Sequence, residues 1–492
     1  MGDPGNGLPS ASSAYKAVAA AIVALAAAAA LFLARGSPLS GDEPLYGLRS
    51  RSFRLREAVW FEWPSYRAPG LPLLAAPLVS LPEPFLRGVI VAFAAASVGL
   101  VYLLGQSLFG RKPAMWAAVV LAATPGLLVS SVYFLPDVPG LCLVLVAVVC
   151  VVRYLVGNGT RWWLALMVGS LAVAGLVRFS IAIVVLGALV ALLIAVPGLV
   201  STRRTRVLMV GGLLLVVTVA GNFVPAIGSQ DGLSPWAANR QLVSQNASPL
   251  SRRVVSLADT SSLAYGFPRQ AVPKGAGGAV FFAICGAGLV VGLVNGRRNR
   301  DRLVLFPIAW FLLTLGFYLI ALDHFEIRYL TPLFVPVALI GGAGLAWLGE
   351  TVGRLWAAVL IAVTLVAGLS FGTYLISDFL RADDAEDLAV RDVGNFIAAA
   401  GQDCSVRFGA GGGKAWQLPW YSGCHSPVTA DSIVYVAVWR SASDPASPPQ
   451  ADAQLVHSRD FTLTKKGASE HRVIDLYQLS GDAGGPEGPA PR

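Results

Sequence analysis

Two adjacent carboxylates, Asp42 and Glu43, follow directly after the first long apolar run of the chain, Ala17 to Ala34. A charge close to hydrocarbon is costly, so an ionisable pair at the mouth of a membrane span usually faces water, a substrate or an ion. A carboxylate at such a boundary can accept a proton from a hydroxyl group and act as a general base. We therefore take Asp42 as the first candidate for chemistry, with Glu43 as its partner.

Further charged residues lie beside later apolar runs. Asp137 stands between two prolines at the start of one run, and Arg178 separates two others. Arg67 follows the acidic pair, and Arg328 ends the polar stretch His324 to Arg328. Because arginine forms paired hydrogen bonds with phosphate and stays charged in a partly dry site, these three arginines are candidate phosphate ligands.

Each of these residues also has a purely structural explanation. Asp42 and Asp137 precede or begin helix-forming stretches, where aspartate is a good capping residue. Glu43 could be a solvated neighbour of Asp42. Arg178 could extend its charge to the membrane surface, and Arg328 could anchor the interface. The sequence leaves these alternatives open.

The composition defines the surroundings of these charges. Of 492 residues, 55% are hydrophobic and only 13% are charged, and the mean hydropathy is +0.65. Soluble domains carry about 25% charged residues, so the chain is predicted to be a multi-pass membrane protein. The net charge of +9 comes from basic residues scattered among loops that form no nucleic-acid motif. This distribution favours contact with anionic lipid, and no nucleic-acid partner is expected.

A bilayer span needs about 20 apolar residues, and this length predicts about eleven spans. Residues 1–14 and 481–492 are Gly- and Pro-rich and are predicted to be disordered. The membrane module is predicted to cover residues 15–376. Its spans are 15–35, 84–108, 113–133, 137–156, 161–177, 179–198, 206–226, 276–294, 302–321, 329–348 and 354–376.

Basic clusters set the orientation, because short loops rich in Lys and Arg stay in the cytoplasm. The clusters at 111–112, 203–206 and 297–302 all fall inside if the N-terminus is cytoplasmic and residues 161–198 form two spans. The long loops 36–83 and 226–275 then lie outside, together with every candidate residue. Amphipathic stretches in the first of these loops, such as Leu55 to Phe61, are predicted to lie along the membrane interface.

Residues 380–480 are more polar and predict a small α/β domain outside the membrane. Asp384 to Ala399 has the pattern of an amphipathic helix, and three strands are predicted at 405–408, 432–439 and 472–479. Cys404 and Cys424 lie in this domain, and an oxidising exterior would allow them to form a disulfide.

The ordered elements resemble a known group of membrane enzymes. They are Gly41-Asp42-Glu43-Pro44-Leu45-Tyr46, then Tyr66-Arg67-Ala68-Pro69, Leu135-Pro136-Asp137-Val138-Pro139, and Arg328-Tyr329-Leu330-Thr331-Pro332. This order is similar to that of the GT-C glycosyltransferases, most of all the branch of aminoarabinose transferases and protein O-mannosyltransferases. The chain departs from that pattern at Arg67-Ala68-Pro69, where the group commonly has Lys-Pro-Pro.

The resemblance implies transfer of a sugar from a polyprenyl-phosphate donor to a hydroxyl of a glycan, lipid or protein on the outer face, with inversion. Asp42 would deprotonate the acceptor, and Arg67, Arg178 or Arg328 would neutralise the phosphate. The remaining candidates would position the acceptor or support Asp42: Glu43, Tyr46, Asp137, His324 and Glu326. A divalent metal bound by outer carboxylates is compatible with this scheme, but no metal or other cofactor is required by the sequence.

Two other classes of function remain. A flippase or transporter of lipid-linked sugars would carry charges deep within its spans, whereas the charges here gather at the outer ends. A non-catalytic scaffold would use the C-terminal domain for binding, but it would not need several acidic and basic residues on one membrane face.

Overall fold

The structure is a computed structural model. It describes residues 11–33, 36–39, 41–56, 67–156, 161–178, 180–181, 187, 207, 211–212, 249–265, 276–298, 305–321, 326–400, 404–408, 417–424, 433–445, 449, 453–465 and 468–479. His324, most of the loop 226–275 and most of the predicted helix at Leu55 to Phe61 lie outside these residues.

Helices make up most of the described chain. Numbered along the described residues, they are α1 (Ala11–Leu33), α2 (Glu43–Leu55), α3 (Gly70–Ala75), α4 (Glu83–Phe109), α5 (Arg111–Ala123), α6 (Pro125–Ser131), α7 (Asp137–Val156), α8 (Arg161–Val177), α9 (Leu250–Ala264), α10 (Ala276–Arg298), α11 (Leu305–Ala321), α12 (Thr331–Val352), α13 (Arg354–Ala399) and α14 (Gln417–Ser422). Single 3-10 turns cover Ala76–Leu78 and Ile327–Leu330. Helix α1 begins at Ala11, inside the stretch predicted to be disordered.

Six helices of the described chain are long and apolar enough to cross a membrane, and a bent pair raises the number to seven. Two shorter apolar helices, Trp162–Val177 and Leu305–Ile320, coincide with two more predicted spans. The predicted spans 179–198 and 206–226 lie almost entirely outside the described residues. The multi-pass helical class is therefore confirmed, while the full number of eleven spans is not.

The predicted span 113–133 consists of two helices with a bend between them. Helices α5 and α6 meet at an angle of 58°. Thr124 between them has an extended backbone, with φ of −65° and ψ of 115°, because the ring of the following Pro125 disfavours a helical residue before it.

Glycines let the membrane helices approach closely. A Cβ on Gly344 of α12 would lie 1.9 Å from the carbonyl oxygen of Gly288 in α10, and one on Gly342 would lie 2.4 Å from the backbone nitrogen of Ala117 in α5. Only a residue without a side chain fits at these crossings, since small residues allow backbones in a membrane to touch. The Gly-rich stretch of α12 is thus a packing face.

The chain divides into two compact units. The first contains Met1–Arg35, Pro64–Leu71 and Pro84–Ile376, and the second contains Gly36–Trp63, Pro72–Glu83 and Ser377–Arg492. Most of the first outer loop thus groups with the C-terminal region. The boundary falls within α13, which is continuous from Arg354 to Ala399. The amphipathic helix predicted at 384–399 is the C-terminal part of this longer helix.

The second unit contains a four-stranded sheet. Its strands are β1 (Cys404–Phe408), β2 (Ile433–Ser441), β3 (Ala453–Lys465) and β4 (Ala468–Leu479), in the order β1-β2-β4-β3. Strands β1 and β2 are parallel, whereas β4 is antiparallel to β2 and β3. Strand β3 was not predicted. Buried residues of α13 pack against one face of the sheet, and a disulfide joins Cys404 to Cys424.

Candidate active site

The acidic pair lies at the start of α2. Gly41 has φ of +56°, a value that glycine adopts without strain, and Pro44 stands in the first turn, where its missing N–H costs nothing. Asp42 occupies the N-cap position, but its side chain makes no capping hydrogen bond. Its backbone carbonyl accepts a hydrogen bond from the N–H of Tyr46, at 3.3 Å. Capping by the side chain therefore does not explain Asp42.

One face of α2 is polar and buried. Glu43 is fully buried, so the alternative of a solvated neighbour does not hold for it. Tyr46 and Arg49 follow at helical spacing and are also buried. The Arg49 guanidinium lies 4.5 Å from the centre of the Phe53 ring, and burial lowers the pKa of Arg49 to about 10. Sequence reasoning missed Arg49, although its spacing from Glu43 and Tyr46 could have indicated it.

In the first unit, Asp137 pairs with Arg178. The Nε atom of Arg178 lies 3.1 Å from Oδ1 of Asp137. The Asp137 side chain is only 4% exposed, whereas that of Arg178 is 30% exposed. Asp137 is the first residue of α7, and Pro136 before it supplies the carbonyl that accepts the first helical hydrogen bond, from Gly140. Asp137 is therefore an ion-pair partner of Arg178 as well as a first-turn residue, and it is not the N-cap.

The local backbone explains this pairing. Arg178 directly follows α8, and its N–H donates a 2.7 Å hydrogen bond to the carbonyl of Ala174. Gly140 lies one turn into α7, where a Cβ would come within 2.9 Å of the Arg178 Cβ. Glycine at this position lets the end of α8 lie against the start of α7, which brings the arginine beside the carboxylate.

Arg328 and Tyr329 extend this charged group. Both belong to the 3-10 turn Ile327–Leu330. The Arg178 guanidinium lies 5.5 Å from the centre of the Tyr329 ring, and that of Arg328 lies 5.2 Å from it. These distances are within the range of cation–π attraction. Arg328 also pairs with Glu326, with Nε 2.6 Å from Oε2. We call Asp137, Arg178, Glu326, Arg328 and Tyr329 the arginine cluster.

Arg67 lies in a segment that contacts the end of α8. Gly70, three residues later, begins α3, and a Cβ there would lie 2.4 Å from the carbonyl oxygen of Leu176. Leu176 is two residues before Arg178, so the segment that carries Arg67 reaches the part of α8 that leads into the arginine cluster.

The structure thus groups the predicted residues by unit. Asp137, Arg178, Glu326 and Arg328 come together in the first unit. Asp42, Glu43 and Tyr46 share the first turns of α2 in the second unit. His324 lies outside the described residues. Sequence reasoning missed Tyr329, although its place directly after Arg328 was part of a motif that had been singled out.

The described residues do not form a metal site. No group of three or more His, Cys, Asp or Glu side chains in this part of the chain is arranged to hold a cation. Asp137 already faces the positive guanidinium of Arg178, whose charge would oppose a metal ion at the same oxygen.

Residues 76–223 match the family of dolichyl-phosphate-mannose-protein mannosyltransferases. That range contains Asp137 and Arg178 but not Asp42. No curated protein sequence matches the chain.

Several solved structures share the fold. ArnT from Cupriavidus metallidurans in the apo state has a TM-score of 0.63 at 14% identity, covering 94% of this chain and 97% of that one. The same protein bound to undecaprenyl phosphate gives 0.64 at 12% identity, covering 97% and 100%. The apo oligosaccharyltransferase of Archaeoglobus fulgidus gives 0.51 at 12% identity, covering 82% of this chain and 64% of that one.

The chain therefore has the GT-C glycosyltransferase fold and is a multi-pass membrane protein. It resembles the branch that holds ArnT and the protein mannosyltransferases.

Proposed function

We propose that this protein transfers a sugar from a polyprenyl-phosphate donor to an acceptor hydroxyl on the extracytoplasmic face of the membrane, with inversion at the anomeric carbon. The convergence of Arg178 and Arg328 on the ring of Tyr329, beside the buried Asp137, is the observation that carries the proposal. Undecaprenyl phosphate bound to ArnT, which shares the fold, supports a polyprenyl carrier.

The charge of the leaving group explains why two arginines would lie at this site. The donor is a phosphodiester with a single negative charge, and the departing polyprenyl phosphate gains a second one when the bond between phosphate oxygen and anomeric carbon breaks. Groups that bind this developing charge lower the barrier, because they interact more strongly with the transition state than with the donor. Guanidinium groups suit this role, since they stay protonated in a partly dry site.

Each arginine is held by a carboxylate. Asp137 pairs with Arg178, and Glu326 pairs with Arg328. Such pairing fixes the direction of a long side chain before the donor binds, so less conformational freedom is lost on binding. In this proposal, Asp137 and Glu326 orient the arginines, and Arg67 supplies a further positive charge to the phosphate.

Asp42 is the proposed general base. As the acceptor oxygen forms its bond to the anomeric carbon, the hydroxyl proton passes to the Asp42 carboxylate, while the carbon–oxygen bond to phosphate breaks on the opposite side. Half-buried Asp42 makes no side-chain capping hydrogen bond, and buried Glu43 and Tyr46 lie in the first turns of its helix. His324, together with Tyr46, is proposed to position the acceptor.

The decisive experiment uses the purified full-length protein in lipid nanodiscs. It is incubated with a panel of polyprenyl-phosphate sugars and hydroxyl acceptors, and mass spectrometry follows both free polyprenyl phosphate and glycosylated product. We expect one donor class to be consumed with equal release of polyprenyl phosphate. Movement of an intact lipid-linked sugar across the bilayer without release of polyprenyl phosphate would instead identify a flippase.

The proposed orientation has its own test. Lys112 pairs with Glu350 at 3.0 Å, which joins the start of α5 to the end of α12, two helix ends predicted to be cytoplasmic. Single cysteines at Ser80 and Thr351 then report opposite faces. In intact cells, a membrane-impermeant maleimide should label Ser80→Cys and not Thr351→Cys. The reverse pattern would contradict an extracytoplasmic first loop.

A further inference from the structure

Helix α14 of the C-terminal region lies against α2. A Cβ on Gly47 would lie 2.7 to 3.1 Å from ring atoms of Trp420, so the indole rests directly on the backbone of α2. Gly47 is four residues from Glu43 and therefore shares its side of the helix. Both helices belong to the second compact unit.

Trp420 is held from three directions. The Arg51 guanidinium lies 4.7 Å from its ring centre, and an Arg51 Nη2 hydrogen donates to the Trp420 carbonyl at 3.4 Å. The indole Nε1–H donates a 2.8 Å hydrogen bond to Oε1 of Glu83. The ring is almost fully buried. A tryptophan fixed by packing, a cation and a hydrogen bond has little freedom to move away from α2.

The chain before α2 is held by the same short helix. Nε2 of Gln417 donates to the Leu39 carbonyl at 2.9 Å and to Oδ1 of Asp387 at 2.7 Å. The Leu39 N–H donates to the Tyr421 hydroxyl at 2.8 Å. Asp387 belongs to α13, so Gln417 links that helix to the segment before the acidic pair.

Helix α14 is itself anchored to the rest of its unit. Leu418 is buried in the core between α13 and the sheet. Cys424, two residues after the helix, forms the disulfide with Cys404 in β1. Gly394 of α13 faces Tyr421, and a Cβ there would lie 2.5 Å from the Tyr421 Cβ. The sheet domain therefore supplies a fixed base for α14.

We infer that Trp420 and Gln417 are positioning residues for the acidic segment: they hold α2, and with it Asp42 and Glu43, in the geometry that the transfer reaction needs. This inference rests on the proposed function. It assigns the C-terminal α/β unit a part in catalysis that does not require it to touch the substrate. A displacement of a reacting group by about 1 Å can reduce a rate by about 100-fold. Loss of the contact between Trp420 and α2 should therefore slow the transfer.

The test compares two buried tryptophans of the same unit. Trp420→Ala removes the contact with α2, whereas Trp420→Phe retains an aromatic ring but loses the hydrogen bond to Glu83. Trp439 lies in the sheet core, so Trp439→Phe and Trp439→Ala are matched controls that disturb the unit without touching α2 directly.

The first readout is deuterium uptake by peptides that cover residues 41–55, measured in nanodiscs. We expect faster exchange there in Trp420→Ala, near-normal exchange in Trp420→Phe, and no local change in Trp439→Phe. This readout does not depend on any enzymatic activity. Unchanged uptake at residues 41–55 in a folded Trp420→Ala protein would overturn the inference even if the proposed function is correct.

The second readout is steady-state kinetics with the donor found by the panel. We expect Trp420→Ala to lower kcat about 10- to 100-fold with little change in the KM for the donor, and Trp420→Phe to restore most of the rate. Faster exchange at 41–55 with an unchanged kcat would show that α14 holds a segment without catalytic importance. If no donor reacts with the wild-type protein, the proposed function fails. Deuterium uptake still tests whether Trp420 holds α2 in place.

Gly47 provides a second test of the contact between Trp420 and α2 if Trp420→Ala does not fold. Gly47→Ala pushes a methyl group against the Trp420 ring, while Gly88→Ala in α4 has open space around its Cβ. We expect the first to raise exchange at 41–55 and lower kcat, and the second to change neither. Equal behaviour of the two variants would count against the inference.

Discussion

The Nε atom of Arg178 lies 3.1 Å from Oδ1 of Asp137, which joins the residue after α8 to the first residue of α7. The pair is asymmetric, because the carboxylate is almost fully buried while nearly a third of the arginine side chain is exposed. Oδ2 of Asp137 has no hydrogen-bond partner among the described residues. The more exposed member of the pair is thus the cation, which agrees with the proposal that Arg178 binds the donor phosphate.

Arg178→Ala should lower kcat/KM for the donor about 100-fold or more, because one stabilising group for the departing phosphate is removed. Arg178→Lys should retain part of the rate, since it keeps the charge but loses the planar fork. The measurement is release of polyprenyl phosphate by mass spectrometry. An exposed arginine of α9, Arg252, serves as the control, and Arg252→Ala should react normally. Equal activity in Arg178→Ala and Arg252→Ala would refute the role of Arg178.

The partner variant Asp137→Asn tests the same pair from the other side. It removes the negative charge but keeps the size of the side chain, so Arg178 loses its orientation and not its charge. We expect a smaller loss of kcat than in Arg178→Ala. Because the two residues touch, the double variant should lose less than the sum of the single losses. Additive losses would show that the two residues act independently.

Asp42→Asn should reduce kcat by about 100- to 10,000-fold, the usual range for removal of a general base. Binding of the donor should change little, so the KM for the donor is the internal check. Glu43→Gln keeps the shape of the buried neighbour and should cost less than Asp42→Asn. If Asp42→Asn transfers sugar at the wild-type rate while folded, Asp42 is not the base.

The sequence predicts well those features that depend on local pattern. Apolar length locates the membrane helices, and the candidate charges Asp137, Arg178 and Arg328 lie at or beside the ends of helices. The continuity of α13 was missed because residues 380–480 were treated as a separate, more polar domain after the last predicted span. No Gly or Pro lies between Gly372 and Gly394, however, so nothing in the backbone interrupts the helix.

Contacts between residues that are far apart in the chain could not be predicted from the sequence. Nothing in the local pattern indicates that Trp420 meets Gly47, or that Arg178 and Arg328 share the ring of Tyr329. Strand β3 was missed for a related reason: it lies at the edge of the sheet and is largely polar, so the alternation that marks a strand is weak. These features depend on the folded arrangement of the whole chain.

Gly70→Ala should destabilise the first unit and reduce activity. The added methyl would meet the Leu176 carbonyl oxygen at 2.4 Å, and backbone atoms there cannot move aside cheaply, so we expect a loss of about 1–3 kcal/mol. Gly169→Ala, in the same helix as Leu176, has open space at its Cβ and should gain up to about 1 kcal/mol. Thermal unfolding in detergent distinguishes them, and equal melting temperatures would contradict the close contact.

The buried Arg49 predicts an unusual pH response in a conservative variant. Burial lowers the pKa of Arg49 to about 10, and the pKa of a lysine in the same surroundings should fall below its ordinary value of about 10.4 for the same reason. Between its folded and unfolded pKa values, the unfolded chain of Arg49→Lys binds a proton that the folded chain does not. The stability of the variant should therefore rise with pH as the pH approaches 10.

Wild type should show no such rise over this range, because its folded pKa lies near the upper end. The measurement is the Tm of each protein at pH 7 and pH 9.5. The matched control is Arg54→Lys, which changes an exposed arginine on the same helix and should follow wild type. If Arg49→Lys also follows wild type, the lysine ammonium is in contact with water. Water would then reach the surroundings of position 49 in spite of the burial of Arg49.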